Sequence, residues 1–110
     1  MTANRTVPED WLLGSDAQAA EWVARVGLAG SYAAVARSSS WLRWNGSAWV
    51  PCDAADVNRA VRRVLTSVYE RRISQRPEAA EVMQLLRLMD LNWRLGPLLT
   101  ELRRVTVRQP

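Results

Sequence analysis

The chain contains no lysine, no histidine and no phenylalanine, and it has one cysteine, Cys52. Without lysine it cannot form a Walker-type phosphate-binding loop, which ends in Gly-Lys-Ser/Thr. Without histidine it can form neither a Ser-His-Asp triad nor a metal site with a histidine ligand. One cysteine excludes an intrachain disulfide and a zinc site built from several cysteines. These classes of site are therefore excluded from the chain.

Signals for a membrane segment are also missing. No apolar run approaches the roughly 20 residues that a membrane-spanning helix needs. Residues 1–10 are polar and do not resemble a secretory signal. We therefore expect a cytoplasmic protein that does not associate with a membrane.

The sequence offers no arrangement of catalytic side chains. No pair of acidic residues is spaced to act on one substrate, and no serine or cysteine has a base beside it in a recognisable pattern. Asp53 and Asp56 suit the N-cap and first turn of a helix better than a metal site. We expect a protein that is not an enzyme and that holds no metal and no cofactor.

What the chain does contain is arginine, tryptophan and enough apolar residues for a core. Its 110 residues, of which 48% are hydrophobic, suit a single domain. All fifteen basic residues are arginines, and the formal net charge is +4. Residues 1–58 carry −2 and residues 59–110 carry +6. A basic C-terminal half indicates a polyanionic partner, nucleic acid first.

The stretch over residues 41–50 predicts a β-hairpin. Asn45-Gly46 lies between two short apolar runs, and both residues tolerate the positive φ angles of a two-residue type I′ turn. The expected cross-strand pairs are Trp44 with Ser47, Arg43 with Ala48, Leu42 with Trp49, and Trp41 with Val50.

Alternation along the strands divides the hairpin into two faces. Leu42, Trp44 and Trp49 share one face, which is too apolar to leave in water, so we expect helices to cover it. Trp41 and Arg43 lie on the other face.

The spacing of apolar residues predicts helices over residues 16–26, 54–73, 77–89 and 98–105. Ser15 with Gln18 forms a capping box for the first helix, and Asp53 caps the second. Gly96-Pro97 is expected to break the chain before the last helix. Residues 31–37 suit a strand or a short helix, and the flanking Gly30 and serines favour a strand.

These elements predict an α+β fold that is predominantly helical, with about four helices packed on a small antiparallel Trp-rich hairpin or three-stranded sheet. Residues 1–10 are expected to form a flexible N-terminal arm. Residues 11–105 form the single domain, and residues 106–110 form a frayed tail.

Arginines supply the strongest indication of function. Six of them fall on the polar side or at the C-terminal end of the second predicted helix, and one lies on the hairpin. Together they form the candidate site: Arg59, Arg62, Arg63, Arg71, Arg72, Arg76 and, on the hairpin, Arg43. Guanidinium groups in such a row could bind successive phosphates of a nucleic acid. The alternative is a solvated helix face whose last arginines complement the helix dipole.

Trp41, beside Arg43, is the candidate for stacking on an unpaired base. The alternative is that it fills the core, which is what we expect of Trp22, Trp44 and Trp49.

The sequence resembles one known family. A short helix with Trp22 precedes Trp41-Leu42-Arg43-Trp44-Asn45-Gly46 and Trp49, and Pro51-Cys52-Asp53 leads into the arginine-bearing helix. This order resembles the N-terminal helical module of phage, plasmid and poxvirus primase-helicases, whose members carry a W-x-W-(D/N)-G-x-x-W hairpin before the superfamily 3 helicase domain. The resemblance implies a role in DNA replication, with a separately encoded helicase or primase as a possible partner.

We therefore expect a non-enzymatic accessory module that binds template DNA, single-stranded in particular, without sequence specificity. Two alternatives remain open. One is a protein-interaction adaptor that docks through Trp41 and the C-terminal leucines, and the other is a small phage regulator that binds duplex DNA.

Overall fold

The computed structural model describes residues 7–75, 77–89 and 91–107, with the backbone alone for residues 91–93. Within these ranges the predicted α+β, predominantly helical fold is confirmed. The helices are α1 (Asp16–Trp22), α2 (Ala54–Ser74), α3 (Ala79–Leu88) and α4 (Leu91–Thr106), and the strands are β1 (Tyr32–Ala34), β2 (Trp41–Trp44) and β3 (Trp49–Cys52). A 3₁₀ helix, Glu9–Leu13, precedes α1, and a π-helical turn, Val23–Gly27, follows it.

Helix α4 is the centre of the packing. Helix α1, the π-helical turn and strand β1 all lie against it. Leu98 and Leu102 of α4 are fully buried, and they join Leu12, Val61 and Leu65 in one apolar core.

The two predicted N-caps are present. The Ser15 hydroxyl accepts a hydrogen bond from the Gln18 amide (3.2 Å), and the Gln18 side chain accepts one from the Ser15 amide (3.1 Å). Asp53 Oδ1 accepts from the Asp56 amide (2.9 Å) and opens α2. The α-helical part of the first predicted helix ends earlier than expected, at Trp22, and the π-helical turn ends with Gly27, where a Cβ would approach Val64 Cγ1 to 2.6 Å. Only glycine therefore allows the π-helical turn to lie this close to α2.

The strands form an antiparallel sheet in the order β1-β2-β3, so residues 31–37 supply the third strand as predicted. The register of the hairpin differs from the prediction by two residues. Trp44 lies opposite Trp49, and the further pairs are Arg43 with Val50, Leu42 with Pro51, and Trp41 with Cys52.

The type I′ turn is therefore wrong, and the physical reason lies in the Asn45 side chain. Its Oδ1 accepts hydrogen bonds from the amides of Ser47 and Ala48 (2.9 Å each), which stabilises a four-residue loop. Gly46 has φ of 105°, whereas Asn45 has no positive φ. The wider loop brings the rings of Trp44 and Trp49 into edge-to-face contact, with centroids 5.5 Å apart. Such pairs are a favoured aromatic geometry.

A shift of two residues keeps each side chain on its predicted face, because the side-chain period of a strand is two. The choice of the inner face is nevertheless wrong. Trp41 is 5% exposed and belongs to the core, whereas Trp44 is 42% exposed. Ala34 of β1 lies opposite Trp41, and this small residue leaves room for the indole on the inner side of the sheet.

The last two helices also differ from the prediction. Helix α3 begins at Ala79 and not at Pro77 as predicted, and Leu86 of this helix is exposed. Helix α4 continues through Gly96-Pro97 rather than starting after it. Leu95, Leu98 and Leu102 are buried on one side of α4, while Gly96 and Pro97 face solvent. Burial along the whole helix outweighs the one backbone hydrogen bond that proline cannot donate.

The expected flexible arm over residues 1–10 does not describe residues 7–10. Val7 is buried, and Glu9 and Asp10 begin the 3₁₀ helix and form ion pairs with α2. Thr106, expected in the frayed tail, belongs to α4, and its hydroxyl accepts a hydrogen bond from the Ala34 amide (3.3 Å) at the edge of β1. Residues 1–6 and 108–110 lie outside the described residues.

Candidate nucleic-acid interface

The outer face of α2 carries two arginines whose charge is not balanced by an acid. Arg62 and Arg63 are exposed, and neither forms an ion pair within the described ranges. Arg62 Nε donates to Asn58 Oδ1 (2.8 Å), a neutral partner that orients the guanidinium without cancelling its charge. A shallow groove runs from these two residues toward the C-terminal end of α2, lined by Arg62, Arg63, Thr66, Ser67, Glu70, Arg71 and Ser74. We call this groove the arginine groove.

Two other predicted arginines, Arg59 and Arg43, lie toward the N-terminal end of α2. Arg59 forms an ion pair with Asp56 one turn earlier. Arg43 is exposed on β2, close enough to affect the Cys52 thiol. Burial and the charge of Asp56 raise the pKa of Cys52, and the positive charge of Arg43 opposes them. Arg43 and Arg59 therefore lie near the start of α2, in a mixed field rather than a positive one.

At the C-terminal end, an acidic pair from the 3₁₀ helix meets Arg71 and Arg72. Glu9 Oε2 lies 2.6 Å from Arg71 Nη2, and Glu9 Oε1 lies 3.1 Å from Arg72 Nη1. Arg72 Nη2 also contacts Asp10 Oδ1 (3.1 Å) and Glu81 Oε1 of α3 (2.6 Å). The hydrogen bonds that Arg72 donates to these acids, the one to Glu81 above all, raise its pKa.

Arg72 therefore connects three segments of the chain, and its side chain is mostly buried. It does not face the arginine groove, so the predicted row of arginines is shorter than the sequence indicates. Arg76, the last of that row, lies outside the described residues.

Trp41 does not lie where a nucleic acid base could reach it. Its ring is buried beneath Arg103, whose guanidinium carbon lies 5.1 Å from the ring centroid. The Arg103 guanidinium also donates to the backbone carbonyls of Val35 (2.9 Å), Ser40 (3.2 Å) and Ser38. Stacking of a base on Trp41 would require this contact to open, so the role predicted for Trp41 is corrected to a core residue.

Two arginines with structural roles were not anticipated. Arg94 is 4% exposed, and its Nη2 donates to the Leu12 carbonyl (3.1 Å). Arg103 holds the loop around Arg37, whose φ of 58° is unusual for a residue with a side chain. A signal was available for Arg94, because it precedes Leu98 and Leu102 at intervals of four and so lies on the apolar side of its helix. No comparable signal marks Arg103.

No family model matches the chain, and neither a curated protein nor a solved structure matches it. Residues 7–75, 77–89 and 91–107 contain no group of three or more His, Cys, Asp or Glu side chains placed to hold a metal ion. None of the described helices is both long enough and apolar enough to cross a membrane.

Proposed function

We propose that this chain is a non-enzymatic module that binds single-stranded DNA without sequence specificity, through phosphate contacts in the arginine groove. The observation that carries the proposal is the pair Arg62 and Arg63, two exposed guanidinium groups with no acidic partner in the described residues. Guanidinium groups bind phosphate oxygens in a bidentate manner, so this pair suits a phosphodiester backbone.

The groove also gives the proposed site a direction. Arg62 and Arg71 are nine residues apart on α2, which corresponds to about 13.5 Å at 1.5 Å per residue. That distance spans a few nucleotides of an extended strand, since phosphates follow one another at about 3.4 Å or more along a strand. Glu70 lies between the arginines, exposed and without an ion-pair partner in the described ranges. Its charge opposes phosphate and limits the affinity.

The resemblance of the sequence to the N-terminal module of primase-helicases supports the same proposal. In that setting the module would work in the cytoplasm with a helicase or primase, and its contribution would be to hold template DNA near those enzymes.

The test is fluorescence anisotropy with labelled single-stranded and double-stranded oligonucleotides at low and physiological salt. The variant Arg62→Gln/Arg63→Gln should bind much more weakly, because it no longer neutralises two phosphates. Its log-log salt slope should be shallower by about 1.4, at about 0.7 for each phosphate of a single strand. The control Arg25→Gln/Arg87→Gln removes two exposed arginines from other helical segments and should change both quantities little.

A variant of opposite sign sharpens the experiment. Glu70→Gln removes the acid from the groove and should tighten binding several-fold at low salt. If the Arg62/Arg63 variant binds as the wild type does, the arginine groove is not the site. Preference for the duplex would instead favour a regulator that binds double-stranded DNA.

Protein docking is the second candidate function, and the residues that support it differ from those predicted from the sequence. Trp41, Leu98 and Leu102 are buried, so the surface predicted for an adaptor lies in the core. Met83 is 69% exposed and Leu86 is 53% exposed, three residues apart on α3. If DNA does not bind at low salt, Met83→Ser/Leu86→Ser is the variant with which to examine association in solution.

A further inference from the structure

The segment beside the C-terminal end of the arginine groove is attached to the fold on both sides of Glu9. Val7, two residues before Glu9, is buried in the core. Leu12 is fully buried, and its carbonyl accepts the hydrogen bond from Arg94. The Leu13 carbonyl accepts another from Gln84 Nε2 (3.0 Å). Glu9 and Asp10, at the start of the same 3₁₀ helix, contact the rest of the molecule through their carboxylates. The Glu9 side chain can therefore rotate away from its partners while Val7 and Leu12 stay in place.

The carboxylate of Glu9 occupies the position that a phosphate would take on Arg71. Arg71 lines the groove together with Arg62 and Arg63, and its Nη2 lies 2.6 Å from Glu9 Oε2. Carboxylates and phosphates bind guanidinium groups with the same hydrogen-bond geometry. The guanidinium group of Arg71, the last arginine of the groove, is thus already bound to an anion from the chain itself.

The two arginines that Glu9 contacts would respond differently to its departure. Arg71 is about half exposed, and Glu9 is its single acidic partner within the described ranges. Arg72 would keep Glu81 at 2.6 Å and Asp10 at 3.1 Å. Departure of Glu9 would therefore release Arg71 to the groove and leave the contact between α2 and α3 intact. Because the Glu9–Arg71 pair is accessible to solvent, exchanging one anion for another there costs little.

We propose that Glu9 is an internal competitor for phosphate at Arg71, so that its carboxylate reduces the affinity of the arginine groove for DNA until a phosphate of the strand displaces it. The inference rests on the proposed function, since it concerns the regulation of that same site. Displacement adds one phosphate contact to those made by Arg62 and Arg63.

The experiment compares Glu9→Gln with the wild-type chain in the anisotropy assay. The variant should bind single-stranded DNA several-fold more tightly at low salt, because no carboxylate has to leave Arg71 before the phosphate binds. Its salt slope should equal that of the wild type, since both complexes make the same phosphate contacts. Glu78→Gln, at an exposed acid without a side-chain cap bond, makes the same change in net charge and should change the affinity little.

A second comparison separates competition from a general charge effect. In an Arg71→Gln background, Glu9→Gln should no longer raise the affinity, since the arginine for which the two anions compete is gone.

The inference fails if Glu9→Gln leaves the affinity unchanged while Arg62→Gln/Arg63→Gln weakens binding, and the proposed function then stands. An equal gain from Glu9→Gln with and without Arg71 also overturns it. If neither the wild-type chain nor Glu9→Gln binds DNA at low salt, both the inference and the proposed function are wrong.

Discussion

Arginines in two parts of this molecule have the same chemistry and opposite roles. Arg62 and Arg63 on the outer face of α2 extend into solvent, and no acid in the described residues neutralises them. Arg72, Arg94 and Arg103 turn inward, and each attaches an irregular segment to a helix by ion pairs or by hydrogen bonds to backbone carbonyls. A positive net charge therefore overstates the positive surface, because part of that charge lies inside the fold.

Arg94 should give the largest decrease in stability. Arg94→Ala leaves the buried Leu12 carbonyl without its donor and removes the packing of the aliphatic part of the side chain. We expect a decrease of about 3 kcal/mol in the free energy of unfolding, measured by urea denaturation. Arg94→Met keeps the packing and should cost clearly less. Equal and small effects of both variants would contradict a structural role for Arg94.

Substitution of Arg103 should give the second largest decrease in stability. Arg103→Ala removes the cation that stacks on Trp41 and the donors to three carbonyls around the loop at Arg37, and we expect a decrease of about 2 kcal/mol in the free energy of unfolding. Arg103→Lys should not restore this stability, because an ammonium group cannot reproduce the planar set of donors. Tryptophan fluorescence during denaturation reports the change, and full rescue by lysine would show that charge alone matters.

A substitution of Tyr69, which lies in the interior near Arg94, should change the free energy of unfolding by less and in the opposite direction. The Tyr69 hydroxyl is buried and has no hydrogen-bond partner among the described residues, and burial raises its pKa while Arg94 opposes that rise. Tyr69→Phe should therefore be neutral or stabilising by up to about 1 kcal/mol. A clear decrease in stability would mean that the hydroxyl makes a contact in solution.

The solvent-facing arginines should have the smallest effect on stability. Arg62→Gln/Arg63→Gln should unfold at the same urea concentration as the wild-type chain, since the side chains make no buried contact. The two sets of arginines would then differ in kind: the inner set changes the unfolding midpoint, and the outer set changes DNA binding alone. A shift in midpoint for the outer pair would remove that distinction.

The elements that local chemistry specifies were predicted well. In α2, the cap at Asp53 is confirmed, and the predicted stripe supplies the buried Val57, Val61, Leu65 and Val68. The hairpin was expected from Asn45-Gly46. Its register was not, because Asn-Gly suits several turn types and the hydrogen bonds of the Asn45 side chain select among them. The site was predicted in part: Arg62 and Arg63 lie on the outer face, whereas Trp41 and Arg72 turn inward.

The sequence alone determined where most elements lie and which side chains share a face, because caps, turns and periodicity act over a few residues. Only the tertiary structure decided which face of the sheet is buried, whether α4 passes through Pro97, and which arginines remain free. Those outcomes depend on partners far apart in the chain, such as Arg103 with Trp41 and Glu9 with Arg71. Periodicity assigns a residue to a face, but the free energy of burial on each face depends on what packs against it.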